Sequence, residues 1–222
     1  MAIATAGPVS FAPPADRRDL YTAKAGRVRF LDVPEMRYFA VEGTGEPGGG
    51  EFGDAFGALY PVAYTVHFAL KRRGVEASVG GLEGLFWFGE PGPITPEGFV
   101  TRADGTRAWT WRLMLPVPAE ASDDEIAAAI AEVARKKAPP ALGRLRVERL
   151  AEGPSAQVLH VGSYAAEPPT IALLHESIAA AGLRPRGCHH EIYLSDPNRT
   201  PPERLKTIIR QPVEAAGPVV AA

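Results

Sequence analysis

One order of elements, strand then helix then two strands, can be spelled twice along this chain, and that repetition constrains the fold more than any single motif. In the first half, residues 37–42 (Arg-Tyr-Phe-Ala-Val-Glu) are rich in strand formers and run into the glycine-rich loop 43–50. Phe56, Leu59, Ala63, Val66 and Leu70 then recur at helical spacing, with Tyr60, Tyr64 and His67 on an adjoining shoulder. Pro61 predicts a kink or a break in that helix. Residues 85–88 (Leu-Phe-Trp-Phe) and 108–115 read as two short aromatic strands, the second with Trp109, Trp111, Leu113 and Leu115 on one face.

The second half repeats the order. Residues 157–161 predict a strand, and residues 168–181 a helix that opens on prolines, ends at Gly182 and has Ile171, Leu174 and Ile178 as its core face. Residues 187–197 and 205–213 supply the last two strands. Between the halves, Ser122 with Glu125 three residues on is a capping box that opens a helix with an Ile126, Ile130, Val133 stripe, stopped at Pro139. The expected architecture is α+β: a duplicated strand-helix-strand-strand unit, with pseudo-repeats at about residues 30–117 and 144–213 joined by that helix. Residues 1–18 and 214–222 read as tails, since Gly7, Pro8, Pro13 and Pro14 interrupt any leader-like apolar core.

A formal charge of -2 with scattered Lys and Arg supplies no electrostatic footprint for nucleic acid. The two basic clusters, residues 71–73 and 135–137, suit helix C-termini. The single cysteine, Cys188, excludes an intrachain disulfide and predicts a cytoplasmic protein. No apolar run approaches the ~18 residues that span a bilayer. A homodimer stays open.

The most informative stretch is Gly-Cys-His-His-Glu-Ile-Tyr-Leu-Ser-Asp-Pro, residues 187–197. Alternation along a strand puts Ile192 and Leu194 on one side, expected to pack against helices, and His189, Glu191 and Tyr193 on the other. If that second side faces a pocket, Glu191 is a carboxylate beside a phenol in apolar surroundings and a candidate base. On an open surface it is an ordinary solvated strand glutamate. Other motifs carry less. Residues 43–48 match the letters of a dinucleotide fingerprint, but Pro47 removes an amide donor and Glu46 would sit by the pyrophosphate. Cys188, His189, His190 and Glu191 are metal-ligand types, yet consecutive strand residues point apart and no second cluster completes a shell, so neither metal nor cofactor is expected. Gly162-Ser163-Tyr164 lacks the second glycine of a nucleophile elbow, and His160 and His175 suit packing. The aromatic set Tyr60, Tyr64, Trp87, Trp109, Trp111, Tyr164 and Tyr193 suits either a core or the wall for a planar hydrophobic ligand oriented by one carboxylate.

Several of these stretches in the same order, among them residues 58–64 (Ala-Leu-Tyr-Pro-Val-Ala-Tyr), 82–87 (Leu-Glu-Gly-Leu-Phe-Trp), 109–115, 190–197 and 205–213, resemble the freestanding GyrI-like small-molecule-binding proteins. The resemblance runs over residues 19–213 as a single domain. It implies the duplicated unit already read, a ligand cleft between its halves, and a functional glutamate corresponding to Glu191. Relatives fused to helix-turn-helix regions are multidrug-sensing regulators; the residues before the first strand read as too few for such a region, so a freestanding copy is expected. Some freestanding members are cyclopropanoid cyclopropyl hydrolases, which add water to the strained ring of DNA-alkylating compounds and so protect the cell. By that resemblance Glu191 would be the general base, assisted by Tyr193, with Tyr60, Tyr64, Trp87, Trp109, Trp111 and Tyr164 stacking the ligand. The alternative is a non-catalytic protein that sequesters flat hydrophobic or cationic compounds. Where a tryptophan pair often follows Leu-Glu-Gly-Leu in the family, this chain has Phe86-Trp87.

Overall fold

The protein is described by a computed structural model covering residues 17–95 and 108–216; the expected tails up to residue 16 and from residue 217 lie outside the described residues. Its strands in chain order are β1 (Arg29–Val33), β2 (Met36–Thr44), β3 (Glu83–Trp87), β4 (Thr110–Pro116), β5 (Arg146–Leu150), β6 (Gly153–Val161), β7 (Leu183–Pro185), β8 (His189–Tyr193) and β9 (Lys206–Ala215). The α-helices among the described residues are α1 (Gly50–Arg72), α2 (Asp123–Lys136) and α3 (Pro168–Ala180). The described residues form two compact units, one of residues 35–89 with 108–150, the other of residues 17–34, 90–95 and 151–216. The duplicated order is present: β2-α1-β3-β4 in the first of these and β6-α3-β8-β9 in the second, each with its last strand paired to both of its other strands.

In the β2-α1-β3-β4 unit, β4 pairs antiparallel with both β2 and β3, and β5 adds to the free side of β2. Trp111 is fully buried on β4 and its ring meets Phe52 of α1 edge-on at 5.1 Å. Directly opposite lies Gly43, where a methyl group would come within 2.4 Å of the indole, so only glycine fits that rung. Helix α1 buries Ala55, Ala58, Leu59, Val62, Ala63, Val66 and Leu70, and each of its large aliphatics contributes about 2 kcal/mol by leaving water. Two expectations are corrected here. Pro61 does not break α1, which runs unbroken for 23 residues, because the surrounding turns are held by that apolar stripe. Phe56 is not in the core: it is 46% exposed and begins an outward ladder with Tyr60, Tyr64 and Phe68, whose spacing of four residues keeps them on one helix face. Helix α2 opens on the expected capping box, Ser122 Oγ accepting from the Glu125 amide at 3.2 Å and Glu125 Oε2 accepting from the Ser122 amide at 3.0 Å. It packs on α1 inside the same unit.

In the other unit the strand order is β1-β6-β9-β8, all antiparallel, with β7 also on β9. Strand β1 went unread in the sequence because its alternation, Arg-Phe-Leu-Asp-Val, is weak and it lies beside a single neighbour. Helix α3 covers one face of this sheet, burying Ile171, Leu174 and Ile178 against Ala156, Val158, Ile209 and Val213. The opposite face carries a buried polar row across three strands. His190, Arg210 and Gln157 are direct cross-strand neighbours. Arg210 donates to Gln157 Oε1 at 2.9 Å, to Glu152 Oε2 at 2.9 Å and to the Leu20 carbonyl at 2.6 Å, while His190 Nδ1 lies 2.9 Å from Glu152 Oε1. Burial alone would push the Glu152 carboxyl up, but the charges of His190 and Arg210 win and hold it at about 2.

Candidate functional site

That polar row decides where Glu191 points. Side chains alternate along a strand, so with His190 and Ile192 buried on one face, His189, Glu191 and Tyr193 take the other. Glu191 is the direct partner of Ile209 on β9, which puts it on the face that α3 covers. The sequence reading had the helices on the Ile192 side; the reason for the reversal is the buried Glu152–Arg210–His190 network, which claims that side instead. Leu194, expected beside Ile192, lies beyond the strand and is 44% exposed.

Glu191 is 12% exposed at its side chain and is surrounded by donors. Tyr193 Oη donates to its Oε2 at 2.8 Å, and His189 Nε2 lies 3.2 Å from its Oε1. The Tyr164 ring meets that of Tyr193 edge-on at 5.7 Å. A second carboxyl completes the group: Glu167, which hydrogen-bonds to Glu191 and is only 4% exposed.

The turn that delivers Tyr164 and Glu167 is built by the residues between β6 and α3. Gly162 takes φ +145, closed to residues with a side chain, and its amide bonds the Leu205 carbonyl at 3.0 Å. Buried His160 fixes the far side, one ring nitrogen 3.0 Å from the Ser163 carbonyl and the other 3.0 Å from Thr170 Oγ1. It is buried and hydrogen-bonded at both ring nitrogens. Glu167 is then the N-cap of α3, a position where a side chain ordinarily accepts from the amides of the first turn. Pro168 and Pro169 remove two of those amides, and Glu167 makes no capping bond. Its carboxyl is left to turn toward Glu191.

The electrostatics follow from that crowding. Burial first, then the Glu191 charge and the hydrogen bond to it, push the Glu167 carboxyl up to about 10. Burial and the same charge push the Tyr193 phenol well above its usual range. The Tyr164 phenol moves up as well, through burial and then the charges of Glu191, Glu167 and Asp196. All three shifts favour the protonated form of the group that faces Glu191. Such a site can take a proton from a bound molecule and orient it with phenols.

Of the aromatic residues singled out in the sequence, Tyr164 joins Glu191 and Tyr193. Tyr60 and Tyr64 stand on α1 with rings 6.2 Å apart, Tyr64 47% exposed. Trp87, Trp109 and Trp111 are buried in the same unit as α1: Trp109 stacks on Phe88 at 4.1 Å, and the Arg112 guanidinium lies 5.7 Å above Trp87. Glu167 was missed by the sequence reading. The available signal was a glutamate placed before two prolines at a helix start, a capping position with no local amides to serve. Among the described residues no three His, Cys, Asp or Glu side chains come together as metal ligands, and no helix is long and apolar enough to cross a membrane.

Comparison with known proteins bears on the family and the fold. Residues 112–214 match the GyrI-like small molecule binding domain. A conserved protein of Listeria innocua shares 31% identity, with a TM-score of 0.77 over 89% of this chain and 97% of that one. A hydrolase from Listeria innocua shares 31% identity, with a TM-score of 0.71 over 91% of this chain and all of its own, 100%. The C-terminal domain of EcmrR, 10% identical with a TM-score of 0.51 over 86% of this chain and 98% of that domain, shares the fold alone. No curated protein sequence matches the chain. The fold, the matched domain and the relatives covered nearly end to end agree, and the chain belongs to the GyrI-like small-molecule-binding family.

Proposed function

We propose that this protein hydrolyses cyclopropanoid alkylating compounds in the cytoplasm, protecting the cell, with Glu191 as the general base. The observation that carries the reading is the environment of Glu191, a nearly buried carboxylate oriented by Tyr193 Oη at 2.8 Å and ringed by groups that keep their protons. The similarity to a Listeria innocua hydrolase supports an enzyme over a passive binder. In the proposed step, the oxygen of water bonds to an unsubstituted carbon of a cyclopropane conjugated to a carbonyl. The ring carbon–carbon bond breaks, and its electron pair passes through the conjugated system to the carbonyl oxygen. The water proton goes to Glu191 as the new bond forms, and from there to solvent or the enolate oxygen. Tyr164 and Tyr193 offer a phenol edge to a flat ligand. Tyr60, Tyr64, Trp87, Trp109 and Trp111, the stacking residues expected from the sequence, belong to the other compact unit, where Trp111 is fully buried, and the proposed step assigns them no contact.

The test is Glu191→Gln, with product followed by mass spectrometry of the water adduct and affinity by tryptophan quenching. Loss of the base should lower turnover by about 10² to 10⁴ with affinity little changed. Affinity lost in step with turnover would favour the other reading, a protein that sequesters flat hydrophobic or cationic ligands with Glu191 as a charge anchor. Full turnover in the variant would remove Glu191 from the chemistry.

A further inference from the structure

Glu167 has no role in the step above, yet it is a buried carboxyl beside it. It is 4% exposed, makes no capping bond, and its Oε1 has no hydrogen-bond partner. Its hydrogen bond to Glu191 joins two carboxyl groups, which is possible only if one of them carries a proton. The other hydrogen-bonding neighbours of Glu191 are already engaged. Tyr193 Oη already donates to Glu191 Oε2, and His189 Nε2 lies against Oε1. The Tyr164 ring packs edge-on against that of Tyr193 at 5.7 Å. Burial and the Glu191 charge act on Glu167 in the same direction, so a carboxylate there would be a buried charge beside a like charge, whereas a neutral acid costs far less. The two prolines that follow it withhold the amides that could have stabilised an anion.

We propose that Glu167 is a neutral carboxylic acid at physiological pH and a positioning residue for Glu191: it donates its proton's hydrogen bond to Glu191 and fixes that carboxylate's orientation, so that the pair carries one negative charge. Burial and the neighbouring Glu191 charge, which raise the Glu167 carboxyl to about 10, agree with this assignment. The role in turnover rests on Glu191 being the base; the protonation of Glu167 does not. When Glu191 accepts a proton from water, the pair becomes neutral, and no second charge has to be accommodated in the buried turn.

Two measurements on the intact protein test the proposal separately from the function. In protein labelled with ¹³C at the glutamate carboxyls, one resonance should remain at its protonated position at pH 7, and Glu167→Gln should delete it. If every glutamate has ionised by about pH 6, well above the ordinary carboxyl value, the proposal is overturned. With a cyclopropane-bearing substrate, Glu167→Ala should lower kcat about tenfold or more with KM little moved, the scale of losing one hydrogen bond to a charged group. Glu167→Gln, which restores a neutral donor of equal length, should recover most of that loss. A Gln variant as slow as the Ala variant would overturn the positioning role. A protonated resonance in a protein whose turnover ignores Glu191→Gln would uphold the pair while sinking the proposed hydrolysis.

Discussion

Replacing Glu167 by glutamine should make the protein more stable, and increasingly so as pH rises. The wild-type carboxyl is ordinary in the unfolded chain, near 4.5, and raised to about 10 in the folded state. Below pH 4.5 both states hold the proton and the folded state loses nothing. Above it the unfolded chain releases the proton and the folded one does not, so stability falls with pH by ~1.4 kcal/mol per pH unit until the folded carboxyl itself ionises near 10. By pH 7 the accumulated cost is about 3 kcal/mol, a large share of the 5–15 kcal/mol that typical domains have. Glutamine has the same shape, offers a hydrogen bond to Glu191 and does not titrate. Urea unfolding followed by tryptophan emission at pH 4.5, 5.5 and 7 should therefore show a variant equal to wild type at the lowest pH and about 3 kcal/mol more stable at the highest. A gap that stays constant across the series, or a wild type favoured at pH 7, would refute the claim that Glu167 is buried with its proton.

Glu152 should behave in the opposite sense. Its carboxyl is held at about 2 by His190 and Arg210 against the opposing effect of burial, so its contribution is present above pH 4.5 and lost as pH falls through 2. Glu152→Gln should cost about 3 kcal/mol or more at pH 7, since it strands the buried Arg210 charge, and the gap to wild type should close in acid unfolding between pH 4.5 and 2. Gly43→Ala should destabilise the β2-β4 pairing by about 1–3 kcal/mol through overlap with the buried Trp111 ring, measured as a lowered urea midpoint with an unchanged slope.

Most of the fold was legible because its elements bury regular stripes. The α1 stripe, the Ser122–Glu125 capping box, the Ile171, Leu174, Ile178 face of α3 and the period-2 pattern of β8 are local signals, and each element formed where its signal stood. Strands β1 and β5 were not read. In β5, Arg-Val-Glu-Arg-Leu is largely exposed and held by ion pairs such as Arg146 with Glu42 and Glu148, a pattern that does not separate an edge strand from a solvated loop. Phe56 was misplaced because helical spacing alone cannot tell which of two adjoining apolar stripes faces inward; the ladder and the core stripe share the same helix.

The candidate site was half legible for a related reason. Glu191 and Tyr193 sit two apart on one strand, so their company is written in the sequence. Glu167 reaches them from 24 positions away, and nothing local announces it beyond the two prolines that deny its carboxyl a cap. What joins the two carboxyls is register. A slip of one residue in the β8-β9 pairing would put His190 in place of Glu191 on the α3 face and expose the charged face of the Glu152 network to apolar packing. The Glu152 carboxylate opposes that slip, since one of its oxygens holds Arg210 of β9 and the other holds His190 of β8, which lie directly opposite each other. The buried ion network on one face of the sheet thus sets the chemistry on the other. Its cost in desolvation is met by complete pairing of the Glu152 carboxylate and buys no activity directly; its effect is that only one arrangement of β8 is compatible with a folded unit, and in that arrangement Glu191 stands beside the neutral acid of Glu167.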